Sequence, residues 1–146
     1  MAIVADILKH KGSDVYEINP DASVYDAISA MSTHGVGSLL VTDGMDIQGI
    51  ITERDYMVKI ALQGRASRET WVKEIMSDKL LFVETFHDVE EVLSIMTQAR
   101  IRHLPVMEKG KLAGLVSIGD CVKQVSQERE VQLRYLTDYI HDKYPG

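Results

Sequence analysis

One segment of this chain is written twice. Gly49-Ile50-Ile51-Thr52-Glu53-Arg54-Asp55 recurs as Gly114-Leu115-Val116-Ser117-Ile118-Gly119-Asp120, displaced by 65 positions (49 to 114). Each copy reads as a short apolar strand running into a helix, with a hydroxyl residue at the junction and an aspartate three positions later. That end of the segment fits a helix capping box: the hydroxyl accepts from backbone N–H groups, and the carboxylate suits the positive helix start. The chain must fold as two like units, and matched caps at matched depth leave room for a second role beside capping.

The likeness extends in both directions. Val4, Ile7 and Leu8 share helical spacing with Val72, Ile75 and Met76 at an offset of 68 (4 to 72). The first copy therefore carries three extra residues (68 − 65) in or near His10–Asp14, which a loop at Lys11-Gly12 is expected to absorb. Val15–Ile18 and Leu80–Val83 read as strands, and Ser23 and Asp88 as N-caps of helices over Val24–Thr33 and Val89–Ala99. The apolar stripes of those helices match position for position: Val24/Val89, Ala27/Val92, Ile28/Leu93, Met31/Met96.

Strands over Val36–Val41 and Ile101–Val106 follow, then turns at Asp43–Asp46 and Glu108–Lys111, then the opening segment as the second arm of a hairpin. The helices after it are expected to run from Glu53 to Leu62 and from Gly119 into the tail. Residues 18–57 align with 83–122 without a gap. The expected fold class is α+β, with α/β-like units: two pseudo-symmetric β-α-β-β-α motifs, 1–65 and 66–125, and a C-terminal amphipathic helix over 126–146. Two copies fall short of the three or more repeats a solenoid needs, so a pair closing on itself is expected. The tail carries Val131, Leu133, Tyr135, Leu136, Tyr139 and Ile140 among charges, which suits packing on its own domain, a homodimer contact, or a partner's groove.

A net charge of −6 with interleaved bases gives no footprint for nucleic acid. The start lacks a basic segment followed by a long apolar one, and no window offers about 18 uninterrupted apolar residues for a membrane span. A cytoplasmic protein is expected. The lone Cys121 excludes an internal disulfide and fits reducing conditions. The five histidines show no metal-ligand spacing, and GxxxxGK[ST], GxGxxG and GxSxG motifs are missing, so an enzyme is not expected.

The doubled unit, ending each time in Gly-apolar-apolar-Thr/Ser-x-x-Asp, resembles a tandem pair of cystathionine β-synthase (CBS) motifs, the Bateman module. The resemblance covers Val4 to Gln127 and includes the Leu104-Pro105-Val106 strand typical of the family. Arg100–Val106 together with Val116–Asp120 is similar to small stand-alone CBS-pair proteins of bacteria and plant organelles. The resemblance implies two clefts about a pseudo-twofold axis for an adenosine ligand: AMP as first choice, with ADP, ATP, NAD(H) or S-adenosylmethionine as alternatives. Asp55 and Asp120 carry over as ribose binders, and Thr52 and Ser117 as ribose or phosphate contacts.

Backbone around Val36, Gly37 and Ser38, and around Ile101, Arg102 and His103, would read the adenine edge, with Pro105 in the adjoining strand. Arg54, Arg100, Arg102, His103 and Lys11 are the phosphate candidates. Each also has a plain reading: Arg100 and Lys11 as solvated surface, His103 as a packed histidine. Gly119 stands where the first copy has Arg54, which makes the two clefts electrostatically unequal. The function implied is an energy- or redox-sensing regulatory module that dimerises and acts on an unidentified protein; the alternative is a dimerisation scaffold that needs no ligand.

Overall fold

The computed structural model describes residues 1–44 and 46–143, apart from the side chains of 131–133, 135, 137–139 and 141–143. In order the elements are α1 (Val4–Lys11), β1 (Glu17–Ile18), α2 (Val24–His34), β2 (Ser38–Asp43), β3 (Asp46–Thr52), α3 (Glu53–Tyr56), α4 (Val72–Ile75), β4 (Val83–Glu84), α5 (Val89–Ala99), β5 (His103–Glu108), β6 (Lys111–Ser117) and α6 (Ile118–Lys143). Each copy forms a three-stranded sheet, β1-β2-β3 or β4-β5-β6, with one parallel and one antiparallel pairing. Even the irregularity repeats: the antiparallel register shifts at Val41/Thr42 and again at Val106/Met107. The α+β class and the β-α-β-β-α order are as expected.

The compact units and the sequence repeat are out of phase by one helix. One unit is Val15–Leu81; the other joins Met1–Asp14 to the chain from Phe82 onward. Val4 and Ile7 of α1 are buried with Val83, Val89, Leu104 and Val116, whereas Val72 and Ile75 of α4 are buried with Val24, Leu39 and Ile51. Backbone bonds explain the exchange, because helix starts need partners for their N–H groups. Val4 N donates to His87 O and Val89 N to Ala2 O (2.9 and 3.0 Å); in the other unit Val72 N donates to Ala22 O and Val24 N to Thr70 O (both 2.9 Å).

Several boundaries depart from the sequence reading. β2 and β5 begin two residues later than expected, because Val36 N is spent on Met31 O at the end of α2 and Ile101 N on Met96 O at the end of α5. β1 and β4 are both shorter than expected: β1 is Glu17–Ile18 rather than Val15–Ile18, and β4 is Val83–Glu84 rather than Leu80–Val83; Leu40 N donates to Tyr16 O at 3.0 Å, whereas its counterpart Pro105 has no N–H. The helix expected over 53–62 is one α-turn followed by a π-helical segment, Met57–Ala61. The extra residues of the first copy are not a loop. They extend α1 through Lys11, where α4 stops at Ile75, and Gly12 ends the helix at φ 88° with its N–H on Leu8 O. Lys9, His10 and Lys11 suit the negative end of that helix.

As far as Lys143 the C-terminal segment continues α6 without a break. Leu136 and Ile140 are 55% and 48% exposed, so these two do not pack on their own unit; the side chains of Val131, Leu133, Tyr135 and Tyr139 lie outside the described residues. Cys121, fully buried at the start of α6, is core. Burial, reinforced by the charge of Asp120 and partly offset by Lys11, pushes its thiol up to about 11. At pH 8 roughly a thousandth of it is thiolate. Iodoacetamide is expected to spare Cys121 in the native protein and label it in urea; fast native labelling would mean that the start of α6 opens readily.

Candidate functional site

Both halves build the same corner from a hairpin and the helix that follows it. In the first, Ser38 pairs with Thr52 across the hairpin, and Gly37 O accepts from Glu53 N at 3.0 Å. In the second, His103 pairs with Ser117, and Arg102 O accepts from Ile118 N at 2.8 Å. The strand ends are thereby fastened to the helix starts, which brings Gly37, Ser38, Thr52 and Asp55 together, and likewise Arg102, His103, Ser117 and Asp120. A Cβ on Gly37 would lie 2.8 Å from Glu53 Oε1, the far end of an exposed side chain that can swing away.

The capping boxes are complete. Thr52 N donates to Asp55 Oδ2 (2.9 Å) and Asp55 N to Thr52 Oγ1 (3.1 Å), while the Thr52 hydroxyl also reaches Asp55 Oδ2 (3.1 Å). Ser117 N donates to Asp120 Oδ2 (2.9 Å) and Asp120 N to Ser117 Oγ (3.1 Å). Each carboxylate then meets a lysine that also donates to a backbone carbonyl. Lys59, four residues on, sits 3.1 Å from Asp55 Oδ1 and 2.7 Å from Ile75 O. Lys11 reaches Asp120 Oδ2 at 2.7 Å and Leu115 O at 2.9 Å.

Lys11, expected as a solvated surface lysine, is exposed but not unpaired: the added turn of α1 delivers its ammonium to Asp120. Lys59 was missed, although Asp-x-x-x-Lys on a helix is a pairing signal. Burial pushes the Asp120 carboxyl up, but hydrogen bonds from Lys11 and Ser117 N and the lysine's charge outweigh that and hold it below the usual aspartate value.

The remaining predicted residues divide. Val36 and Ile101 are half-buried and pack on their units' cores; Ser38 and Pro105 are buried. Arg54 and Arg102 are exposed. Arg100, also exposed, takes the left-handed cap of α5 at φ 56°, where the first copy has Gly35. His103 is half-buried and engaged in an interaction. At the start of α6 a Cβ on Gly119 would meet nothing nearer than Ser117 Oγ at 3.6 Å, so the second corner is open where the first carries Arg54. Among the described residues no His, Cys, Asp and Glu cluster suits a metal, and no helix is long and apolar enough to cross a membrane.

Comparison with known proteins matches the CBS domain twice, over residues 4–61 and 72–127. CBS domain-containing protein CBSX3, mitochondrial, of Arabidopsis thaliana is 39% identical over 97% of this chain and 73% of its own length. The solved structure of a protein with CBS domains from Burkholderia ambifaria is 50% identical and superposes with a TM-score of 0.81, covering 85% of this chain and 93% of that one. At 22% identity and a TM-score of 0.75, the CBS domain pair of protein MJ0100, solved with 5′-methylthioadenosine and S-adenosyl-L-methionine, shares the fold over 88% of this chain and 98% of its own.

Proposed function

The chain belongs to the CBS-domain family, and we propose that it is a regulatory module that binds an adenosine-containing ligand and passes the occupied state to its own dimer or to a partner protein. The observation that carries this reading is the doubled corner: an acid-bearing helix start fastened to a strand end, at Thr52–Asp55 and again at Ser117–Asp120. A carboxylate there can accept both hydroxyls of a ribose as charge-assisted bonds. The adenosine compounds bound by the MJ0100 pair support the ligand class.

AMP is the first choice, with ADP, ATP, NAD(H) and S-adenosylmethionine as alternatives. The site comprises Val36, Gly37, Ser38, Thr52, Arg54 and Asp55 in one copy, and Ile101, Arg102, His103, Pro105, Ser117 and Asp120 in the other. Asp120 is the better receptor. Its two charged and backbone donors share Oδ2, whereas Asp55 has partners on both oxygens. Exposed Leu136 and Ile140 on α6 support a homodimer through which ligand binding is read out by population shift.

One observation favours the scaffold reading: Lys59 and Lys11 already pair with both carboxylates. Thermal unfolding with AMP, ATP, NADH and S-adenosylmethionine separates the two. At a hundredfold excess over Kd a ligand adds about 2.7 kcal/mol, which for a chain of this size raises Tm by roughly 5–10 °C. Asp120→Ala lowers Tm by itself through loss of the cap, so the ligand-induced change within the variant is what counts, and it should vanish. No shift with any of the four in the wild type would leave the scaffold.

A further inference from the structure

In the unit that contains α1 and α6, the last turn of α1 and the first turns of α6 line a half-open cavity of about 250 Å³. Ile7, His10 and Lys11 line it from α1; Asp120, Lys123, Gln124 and Gln127 line it from α6, at i, i+3, i+4 and i+7 on one face. Its lining carries two ammonium groups against a single carboxylate. Lys11 is held by Asp120, while Lys123 has no ion-pair partner among the described residues. Two carboxamides and an imidazole add hydrogen-bond donors.

Pockets for whole ligands run to roughly 300–1,000 Å³. This one is smaller and rich in donors, which suits an anionic fragment. We propose that it is a phosphate subsite and that Lys11 is its exchangeable cation. Without an anion, Lys11 rests on Asp120 and the Leu115 carbonyl. A phosphate beside Lys123 offers more than one negative charge, draws the Lys11 ammonium across, and leaves Asp120 to accept ribose hydroxyls.

The exchange is feasible because the pair is partly solvated, with side-chain exposures of 37% and 23%. Asp55 lacks this device: its lysine, Lys59, lies four residues along the same chain segment instead of on a second helix. The inference rests on the ribose role given to Asp120 above. It makes the second copy selective for phosphate-bearing nucleotides, and it disfavours S-adenosylmethionine, whose sulfonium would face two ammonium groups.

Calorimetric titration of the full chain with AMP, adenosine and inorganic pyrophosphate tests this, using wild type, Lys11→Met and Lys123→Met proteins whose folding is verified by circular dichroism. The wild type should bind AMP about tenfold or more tighter than adenosine, within the usual range of coupling between sites. Pyrophosphate alone should bind, and Lys123→Met should abolish that binding. Lys11→Met should bind adenosine more tightly than the wild type does, with the preference for AMP falling toward one.

Equal affinities for AMP and adenosine in the wild type, or a preference untouched by both substitutions, would overturn the subsite while leaving the adenosine reading intact. Pyrophosphate binding that depends on Lys123, with no binding of either adenosine compound, would keep the anion cavity and remove the nucleotide reading. Silence from all three ligands would remove both.

Discussion

Truncating Leu104 to alanine is expected to cost about 2–5 kcal/mol, a large part of the roughly 5–15 kcal/mol that holds a domain of this kind together. Leu104 is fully buried on β5, between the site residues His103 and Pro105 and opposite Val116. Val83, Val89, Val92, Val106 and Val116 belong to the same core. Their β-branched side chains are stiff at χ1, so they can close little of the space left behind, which points to the upper half of the range. With a urea slope of roughly 1–3 kcal/mol per molar, the unfolding midpoint should fall by more than about 1 M. Leu104→Met, which conserves volume, should cost less than about 1.5 kcal/mol. An alanine variant within 1 kcal/mol of wild type would show that this wall of the core collapses readily and does not hold the second corner in place.

The apolar periodicity that made Leu104 a strand residue also made most of the fold legible. The stripes Val24-Ala27-Met31 and Val89-Val92-Met96 are buried to within a few per cent, and Ser23 and Asp88 do cap their helices, with bonds to Asp26 N and Glu90 N. What the pattern did not carry was the partner of each short helix. Val4 and Ile7 have the same spacing as Val72 and Ile75, and spacing says only that a helix has an apolar face. The exchange of α1 and α4 rests on backbone bonds such as Val4 N to His87 O, which any residue types could make.

The corners were legible in the same measure. Thr52 with Asp55 and Ser117 with Asp120 follow from sequence because a capping box is local, spanning one helical turn. The cations around them did not follow. Arg54 drew attention by adjoining the motif, yet it is exposed, while Lys11 reaches Asp120 from 109 positions away. Three inserted residues looked like loop material around Gly12; the helix used them as another turn, because Lys9, His10 and Lys11 favour a helix end and Gly12 provides the stop.

The glycine that opens each copy of the repeat gives the second large effect, and there the copies differ. A Cβ on Gly49 would stand 2.5 Å from the Ser77 carbonyl oxygen and 3.0 Å from Met76 Sδ; one on Gly114 would stand 2.7 Å from Leu8 Cδ2. Met76 and Leu8 are counterparts at the offset of 68 (8 to 76), so matching positions crowd the same strand in both units. The obstacle differs in kind, since a leucine methyl can rotate and a backbone carbonyl cannot. Ser77 is moreover locked to its neighbour, with Ile50 N donating to Ser77 O at 3.0 Å and Ser77 N to Ile50 O at 2.9 Å. Gly49→Ala must break that bridge, losing two backbone bonds of about 1 kcal/mol each, on top of an overpacking cost of about 1–3 kcal/mol. Gly114→Ala should cost about 1 kcal/mol, the strain of a displaced rotamer. Denaturant unfolding of the two variants is expected to place Gly49→Ala at least 1 kcal/mol below Gly114→Ala. Equal losses, or the reverse order, would mean that the Ser77 segment yields as easily as the Leu8 side chain and that the Ile50–Ser77 bridge contributes little to holding β3 against the end of α4.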